Sequence, residues 1–410
     1  MKFDTIIIGG GLSGLIAGIN LSQRGQKCMI ISAGQSALHF FSGSFELYGK
    51  GYEHPLDAIE HLEPNHPYAK LGAERIHQMS EEVKPFFQEI GIILNGNIEQ
   101  NHYRITPMGT LKPAWLTMEE YATIADPQNW PWSNISILNL DGYLDFQPNF
   151  IASGLAKFGI TSKISTLSLP ELEHIRKNPT EMRATHISKA LTGQVIDRLA
   201  ALINLSANVA DAIFMPAVIS LTTREDMNVL KEKVNRPLRF IATLPPSVPG
   251  IRMQIMLRRY FQKLGGIYML GDRAVGGTIK KGKLTNITTE NHGDFKLEAD
   301  HFIFATGSFF SHGITATSEK VYEPILNLDV DYQENRTTWY DSDIFKEQPY
   351  MKFGIASDEG FHALKDGKPI ENTYVVGASL SGFNAIKEGS GAGVSIFTAM
   401  YAANEILKNR

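Results

Sequence analysis

Glycines 9, 11 and 14, in Ile8-Gly9-Gly10-Gly11-Leu12-Ser13-Gly14, are spaced to bring a main chain against a phosphate. The first permits a tight turn, the second lets backbone approach a pyrophosphate, and the third lets helix and strand pack closely. The run follows an apolar strand at 4–8 and opens a helix at 12–23, so helix N–H groups face the anion. A glycine turn without a ligand is the competing reading, and the strand–turn–helix context at the very N-terminus disfavours it. A second apolar strand, Phe302-Ile303-Phe304, ends at Ala305-Thr306-Gly307 after a long insertion. Nicotinamide dehydrogenases usually complete their nucleotide fold in one contiguous stretch. A nucleotide domain opened early, interrupted and closed at the C-terminus points instead to a flavoprotein.

Two departures from the dinucleotide pattern stand out. An Asp or Glu ending the second strand would bind the adenosine ribose, but the chain reads Ile31-Ser32-Ala33-Gly34. The Ser32 hydroxyl supplies only a neutral hydrogen bond, worth about 0.5–1.5 kcal/mol net. Near the C-terminus, where such folds set an acid on the ribityl chain, the pair is Gly377-Ala378. Either the flavin lacks its adenosine half, which makes FMN the expected cofactor and FAD the alternative, or it is held loosely. Gly389, Gly391 and Gly393 precede the final helix, whose N-terminus would stabilise negative charge on a reduced flavin; a close helix–sheet crossing needs the same small residues.

Three side chains are candidates for the chemistry. His39 lies in the Gly/Ser-rich loop 33–50, with Ser42 and Gly43, where a base or flavin contact would sit; a loop histidine bonded to backbone is the plainer alternative. Arg183 shares a predicted helix face with His186, three residues on, in a helix opened by Asn178 at the cap, Pro179 and Glu181. Arg252 falls in the first turn of a predicted helix, where a cation opposes the macrodipole by about 0.3–1 kcal/mol unless a phosphate or carboxylate is near. Arginine suits phosphate because its planar fork binds oxygens in pairs. Solvated or ion-paired arginine is the alternative for both.

The elements that must position these groups follow from the pattern. A second strand runs over 27–32, a helix over 250–264, then a β-meander, a buried strand at 301–305 and a C-terminal strand, glycine loop and Ala-rich helix over 371–408. The expected fold class is α/β. A Rossmann-like flavin-binding domain (1–50, 250–311 and 365–410) of the glutathione-reductase or fumarate-reductase type would carry a large inserted α+β domain (51–249 and 312–364). The 410 residues, 43% hydrophobic and 20% charged, suit a globular chain of about two domains. A net charge of −4 gives no reason to expect nucleic acid as partner. The apolar stretch 206–222 is broken by Asn208, Asp211 and Pro216, so a cytoplasmic protein, at most peripheral to a membrane, is expected. The single cysteine, Cys28, excludes a disulfide, a thiolate metal site or an iron–sulfur cluster built by this chain alone. No metal site is expected.

Long blocks of the chain resemble one family. They are GGGLSGL, GQSALHFFSGSFEL, NHPYAKLG, RITPMGTLKPAWL, TEMRA, TLPPSVPGIRMQ, ATGSFFSHGI, EPILNLDV and GASLSGFNAIKEGSGAGV. Together they are similar to the B subunit of bacterial anaerobic glycerol-3-phosphate dehydrogenase, from residue 3 to about 408. The resemblance implies oxidation of sn-glycerol 3-phosphate to dihydroxyacetone phosphate, in a soluble dimer with a flavoprotein A subunit. An iron–sulfur C subunit would dock that dimer to the inner face of the cytoplasmic membrane and pass electrons to quinone. It further implies FMN in this subunit. By the resemblance Gly9, Gly11 and Gly14 would hold the cofactor phosphate, and His39 to Gly43 and Gly389 to Gly393 would surround the flavin; Thr306, Gly307 and Gly377, at the ends of the later strands, are further expected cofactor-binding residues. A self-sufficient FAD-dependent oxidase or dehydrogenase of a small hydroxy or amino acid, and a degenerate flavoprotein serving as scaffold, are the rival expectations.

Overall fold

The computed structural model describes residues 2–408 except 51, 52, 179 and 208. Pro179 and Asn208, which bear on the expected helix start and the broken apolar stretch, thus lie outside the described residues. In chain order the elements used below are β1 (Lys2–Ile8), α1 (Leu12–Gln23), β2 (Cys28–Ser32), β3 (Asn134–Leu140), α2 (Pro148–Ala156), β4 (Thr161–Leu167), α3 (Ala184–Ala190), α4 (Gln194–Ser206) and β5 (Ala212–Pro216). They continue with α5 (Glu225–Lys233), β6 (Leu238–Ile241), α6 (Val248–Lys263), β7 (Ile267–Leu270), β8 (Ala274–Lys280), β9 (Lys283–Thr289), β10 (Leu297–Phe304), β11 (His362–Lys365), β12 (Lys368–Val375) and α7 (Gly391–Lys408).

The chain forms two compact units. The first comprises 1–37, 46–86 and 257–410; the second comprises 38–45 and 87–256. The stretch 312–364, expected with the insertion, lies within the first unit, as does 46–86.

The first unit is built on an eight-stranded sheet ordered β7-β2-β1-β10-β9-β8, with β12 also beside β10 and β11 beside β12. The strands β7, β2, β1, β10 and β12 run parallel, while β8 and β9 form the antiparallel meander. Residues 6–8 of β1 and 28–31 of β2 are buried apolar runs, as the interior strands of a parallel sheet require. Ile6, Ile7, Ile30 and Cys28 are fully buried, each such isoleucine contributing about 1.5–3 kcal/mol. Cys28 behaves as an apolar residue, since burial pushes its thiol pKa up to about 12. α1 lies against the sheet through Gly18, where a Cβ would stand 3.0 Å from both Ile30 and Phe261 side-chain carbons. The helix α7 packs on α1 with Ala399, Ala402 and Ala403 buried.

The second unit has its own four-stranded sheet, ordered β4-β3-β5-β6 and parallel throughout. Two three-stranded antiparallel sheets join it. One pairs Leu116–Met118 with Ser44–Phe45 and Leu94–Gly96; the other pairs His102–Ile105 with Leu111–Ala114 and Thr123–Ile124. The expected α+β insertion did not specify this parallel core. Because β4 lies on one side of β3 and β5 on the other, the order reverses between β3 and β5, the place where such sheets expose loops to ligands.

Around 178–190 the structure departs from expectation. The Asn178 side chain accepts from the Thr180 N–H at 3.1 Å and the Thr180 hydroxyl at 2.8 Å, closing a local turn. That turn competes with helix propagation, so α3 starts only at Ala184, with Arg183 as its extended N-cap. Arg183 and His186 therefore share no helix face. His186 instead turns back to the Glu181 carbonyl at 2.8 Å.

Candidate functional site

In the first unit, the glycine turn meets the ends of the central strands. Gly9 has φ +118°, and a Cβ there would collide with the Ala305 carbonyl oxygen at the end of β10. Its N–H donates to Ile31 O at 2.8 Å. A Cβ on Gly14 would in turn strike the Gly9 carbonyl. Packing alone accounts for both glycines. It does not account for Gly11, the N-cap of α1, whose Cβ would find nothing closer than Ser36 Cβ at 3.8 Å. α1 has no side-chain cap and no acid in its first turn. Its N-terminal N–H groups and the clear space over Gly11 make a cradle with the polarity that suits an anion such as a diphosphate.

Facing this turn are the loops after β10 and β12. Gly307, at φ +81°, donates its N–H to Ser379 Oγ at 2.7 Å, and Thr306 Oγ1 lies 3.3 Å from the same oxygen. Gly377 has φ +66° and no room for a side chain beside Ser13 Oγ; its N–H donates to Thr398 Oγ1 at 2.9 Å. The hydroxyls of Ser379 and Thr398 thus fix the two loops, roles that sequence reasoning missed although Ser379 stands two residues from Gly377. Ser32 closes β2, its hydroxyl donating to Gly34 O at 3.1 Å.

The N-terminus of α7 is held by a buried network that was also missed. The Tyr68 N–H donates to His66 Nδ1 at 3.0 Å, so the ring proton sits on Nε2, which donates to Glu388 at 3.2 Å. Glu388 also accepts from the Asn384 N–H and the Ser390 hydroxyl, each at 2.9 Å. Burial alone would raise its pKa, but the His66, Asn384 and Ser390 hydrogen bonds hold it below the ordinary range. The Tyr68 hydroxyl lies 2.8 Å from Leu47 O and 3.1 Å from Ser390 O, and it fills the space a Cβ on Gly393 would need. Gly389, at φ +62°, caps the turn of helix Ala385–Glu388, and a Cβ on Gly391 would press on Ala385 Cβ at 3.0 Å. Close packing explains Gly391 and Gly393, and the left-handed backbone at the helix end explains Gly389. The block NHPYAKLG signalled the network only as an unusual stretch.

The remaining candidates belong to the second unit, and their side chains are committed there. Arg252 is 1% exposed. Its guanidinium pairs with Glu120 and donates to the carbonyls of Ile219 at 3.1 Å and Ser220 at 2.8 Å. The anion expected near it is a carboxylate, not a phosphate. Arg183, half exposed, donates through Nη1 to both Asp145 oxygens, at 3.1 and 3.2 Å. Asp145 follows β3 while Ile219 and Ser220 follow β5, so the two arginines pin the two loops at the switch point of the parallel sheet. His39 sits in a single 3₁₀ turn, Ala37–Phe40, with Nε2 2.9 Å from Gln254 Oε1, and burial lowers its pKa. Gly43, at φ +88°, is required because the Tyr121 ring occupies its side-chain space. Ser42 Oγ lies 3.4 Å from Ser44 Oγ, which accepts from Arg104 Nε at 2.7 Å.

One histidine of this unit makes a measurable prediction. His102 Nε2 lies 2.6 Å from Thr117 Oγ1, and burial lowers its pKa to about 4. With the folded value below the unfolded one, its stabilising effect is complete above about pH 6.5 and is lost as pH falls toward about 4, amounting to about 3 kcal/mol at most. The variant His102→Gln keeps the bond to Thr117 without titrating. Melting temperatures followed from about pH 7 down to pH 4.5 should fall more steeply for the parent chain than for the variant. Parallel curves would remove His102 from the acid sensitivity.

Residues 4–394 match the family model described as FAD binding domain. The chain is 39% identical over 421 residues to the B subunit of anaerobic glycerol-3-phosphate dehydrogenase from Yersinia enterocolitica, covering 99% of this chain and 98% of the relative. The corresponding protein of Pectobacterium atrosepticum is 39% identical over 417 residues, covering 100% of this chain and 99% of the relative.

The chain belongs to the family of anaerobic glycerol-3-phosphate dehydrogenase B subunits.

It is an α/β flavin-binding oxidoreductase of that family. The fold is also similar to that of the 3-ketosteroid Δ1-dehydrogenase of Sterolibacterium denitrificans, with a TM-score of 0.48 at 10% identity over 100% of both chains, a likeness too remote to bear on function. The matched family model indicates FAD, where the missing acids had pointed to FMN. Among the described residues, no helix is long and apolar enough to cross a membrane.

Proposed function

We propose that this chain is the FAD-carrying member of a glycerol-3-phosphate:quinone oxidoreductase complex and that it relays electrons while the substrate is oxidised on a partner flavoprotein. An iron–sulfur partner then carries the electrons to quinone at the inner face of the cytoplasmic membrane. The overall reaction converts sn-glycerol 3-phosphate to dihydroxyacetone phosphate with loss of two electrons and two protons. A flavin bound along the α1 cradle supplies two-electron acceptor chemistry. Gly11 and the N–H groups of the α1 N-terminus would hold its phosphates, in a turn shaped by Gly9 and Gly14, with Ser32, Thr306, Gly307 and Gly377 along the rim and Gly389 to Gly393 at the helix α7. The observation carrying the relay reading is the engagement of every side chain considered for substrate chemistry. Arg252 is held by Glu120 and two carbonyls, Arg183 by Asp145, and His39 by Gln254. Neither candidate arginine is left to receive a substrate phosphate. The lone cysteine fits as well, since a cluster must then come from a partner.

The chain purified alone should show a flavin spectrum, release FAD on acid extraction and fail to reduce a dye with glycerol 3-phosphate. Co-expressed partners should restore turnover. Turnover by the isolated chain would favour the self-sufficient dehydrogenase, and absence of flavin even after reconstitution would favour the scaffold. In the assembled complex, Arg183→Ala should leave the KM for glycerol 3-phosphate within about twofold of the parent's, because the guanidinium is engaged in a half-exposed pair with Asp145 and not by substrate. A tenfold rise would place substrate phosphate at Arg183 and sink the relay.

A further inference from the structure

Residues 332–353 form a loop closed at its neck by the antiparallel pairing of Val330–Asp331 with Gly354–Ile355. The loop carries its own small core. Trp339 and Phe353 are buried with ring centroids 5.9 Å apart, and Tyr332 stands edge-on to them at 6.2 and 6.3 Å. The Tyr350 N–H donates to Trp339 O at 2.9 Å, tying the two arms together. Polar side chains fix the turn between the arms. Asp341 accepts from the Asp343 N–H at 2.8 Å, and Asp343 accepts from the Phe345 N–H at 2.9 Å. Gln348 accepts from the Asp341 N–H and donates to the carbonyls of Asp341 and Asp343. Lys387 donates to the Phe345 carbonyl.

What this scaffold displays is apolar. Ile344 is 77% exposed and Phe345 82%, with Tyr340 and Ile386 exposed as well. Single exposed apolar residues need no explanation, but a group held out in water by a fixed turn marks an interaction surface. Fixing the turn in advance removes an ordering cost that binding would otherwise meet. Aromatic side chains are also the type enriched at protein interfaces.

The charges around the tip balance and are already engaged. Lys346 lies 3.5 Å from Asp341 and Lys352 lies 2.8 Å from Glu347, while Asp343 and Lys387 are committed to the turn. An anionic bilayer surface attracts clusters of spare lysine and arginine, which the tip lacks. The charge pattern therefore matches an uncharged apolar pocket on a protein. Position indicates which protein. Glu347 lies close enough to Lys50 and Glu388 to feel their charges, so the tip stands beside the turn that leads into α7. That is the flavin end of the unit in the reading above. Electrons must leave from there, and a chain with one cysteine cannot build the cluster that takes them.

We propose that Ile344 and Phe345 anchor the iron–sulfur partner by entering an apolar pocket on its surface, with Tyr340 and Ile386 flanking them. The proposal rests on the relay reading above and gives it a docking surface.

The test co-expresses the chain with the flavoprotein and iron–sulfur subunits, scores what co-purifies, and titrates the purified chain with the iron–sulfur subunit. Ile344→Ser/Phe345→Ser should weaken binding of that subunit by at least about tenfold. Flavin content and melting temperature of the purified chain should stay at parent values, because both side chains stand in water. Phe345→Ser alone should give an intermediate loss, and serves if the double variant does not fold. Equal affinity of parent and variants for the iron–sulfur subunit overturns the anchor. Loss of the flavoprotein subunit alone, loss of a dimer of this chain, or loss of binding to phosphatidylglycerol vesicles would each assign the surface to another occupant and overturn it too. A parent chain that holds no iron–sulfur subunit defeats the relay reading itself, and the anchor with it.

Discussion

Replacing Arg252 by alanine is expected to destabilise the second unit by about 3–5 kcal/mol, the usual cost of stranding one partner of a buried ion pair. Glu120 is 1% exposed and pairs with the guanidinium, which also donates to the Ile219 and Ser220 carbonyls. Removing it leaves the two carbonyls short of a donor and Glu120 with only Arg224, 4.0 Å from its other oxygen, in an interior that solvates them poorly. Glu120 is held there because its own chain segment runs beside β6. The Phe240 N–H donates to Glu120 O and the Ala122 N–H to Phe240 O, both at 2.9 Å, so the carboxylate cannot swing out to water without breaking that pairing. The melting temperature should drop by about 10 °C in a chain of this size. Adding Glu120→Gln to Arg252→Ala should recover part of the loss, because a buried amide is cheaper to strand than a charge. An unchanged melting temperature, together with a raised KM for glycerol 3-phosphate in the assembled complex, would mean that Arg252 serves substrate after all.

The second large effect is expected at Gly11. A methyl there meets no protein atom closer than 3.8 Å, and Gly11 has an ordinary negative φ of −83° that alanine adopts without strain. Gly11→Ala should therefore fold with the parent melting temperature. The added methyl would nevertheless stand in the space over the α1 N-terminus, and we expect flavin affinity to fall by about a hundredfold, or about 3 kcal/mol. Gly9→Ala provides the contrast. At φ +118°, with the Ala305 carbonyl in the way, it should lose flavin and thermal stability together. The two variants separate a glycine needed by the ligand from one needed by the fold. Parent-like flavin binding by Gly11→Ala would move the phosphate site away from α1.

The residues that sequence reasoning located well act within a few positions of one another. The β1 strand, the glycine turn and α1 were legible because strand pattern, turn chemistry and helix start lie within residues 2–23, where local geometry decides the outcome. The meander, β10 and α7 were legible for the same reason, each carrying its own period and its own glycine boundaries. The loss of the start of α3 was local too, since Asn178 closes a turn with Thr180 before a helix can form.

What the tertiary structure decided are the partnerships across long separations. Arg252 finds Glu120, 132 positions away, and Tyr268 reaches Gly10, 258 positions away. His66 meets Glu388 across 322 positions. A single sequence shows that a cation, a phenol or an imidazole is present and on which kind of element it rides. Whether that group faces a ligand or a buried carboxylate depends on which strands lie side by side, as with the parallel core β4-β3-β5-β6 that brings distant loops to one rim. Strand order follows from the burial of both faces of a sheet by the whole chain, a requirement no local pattern encodes.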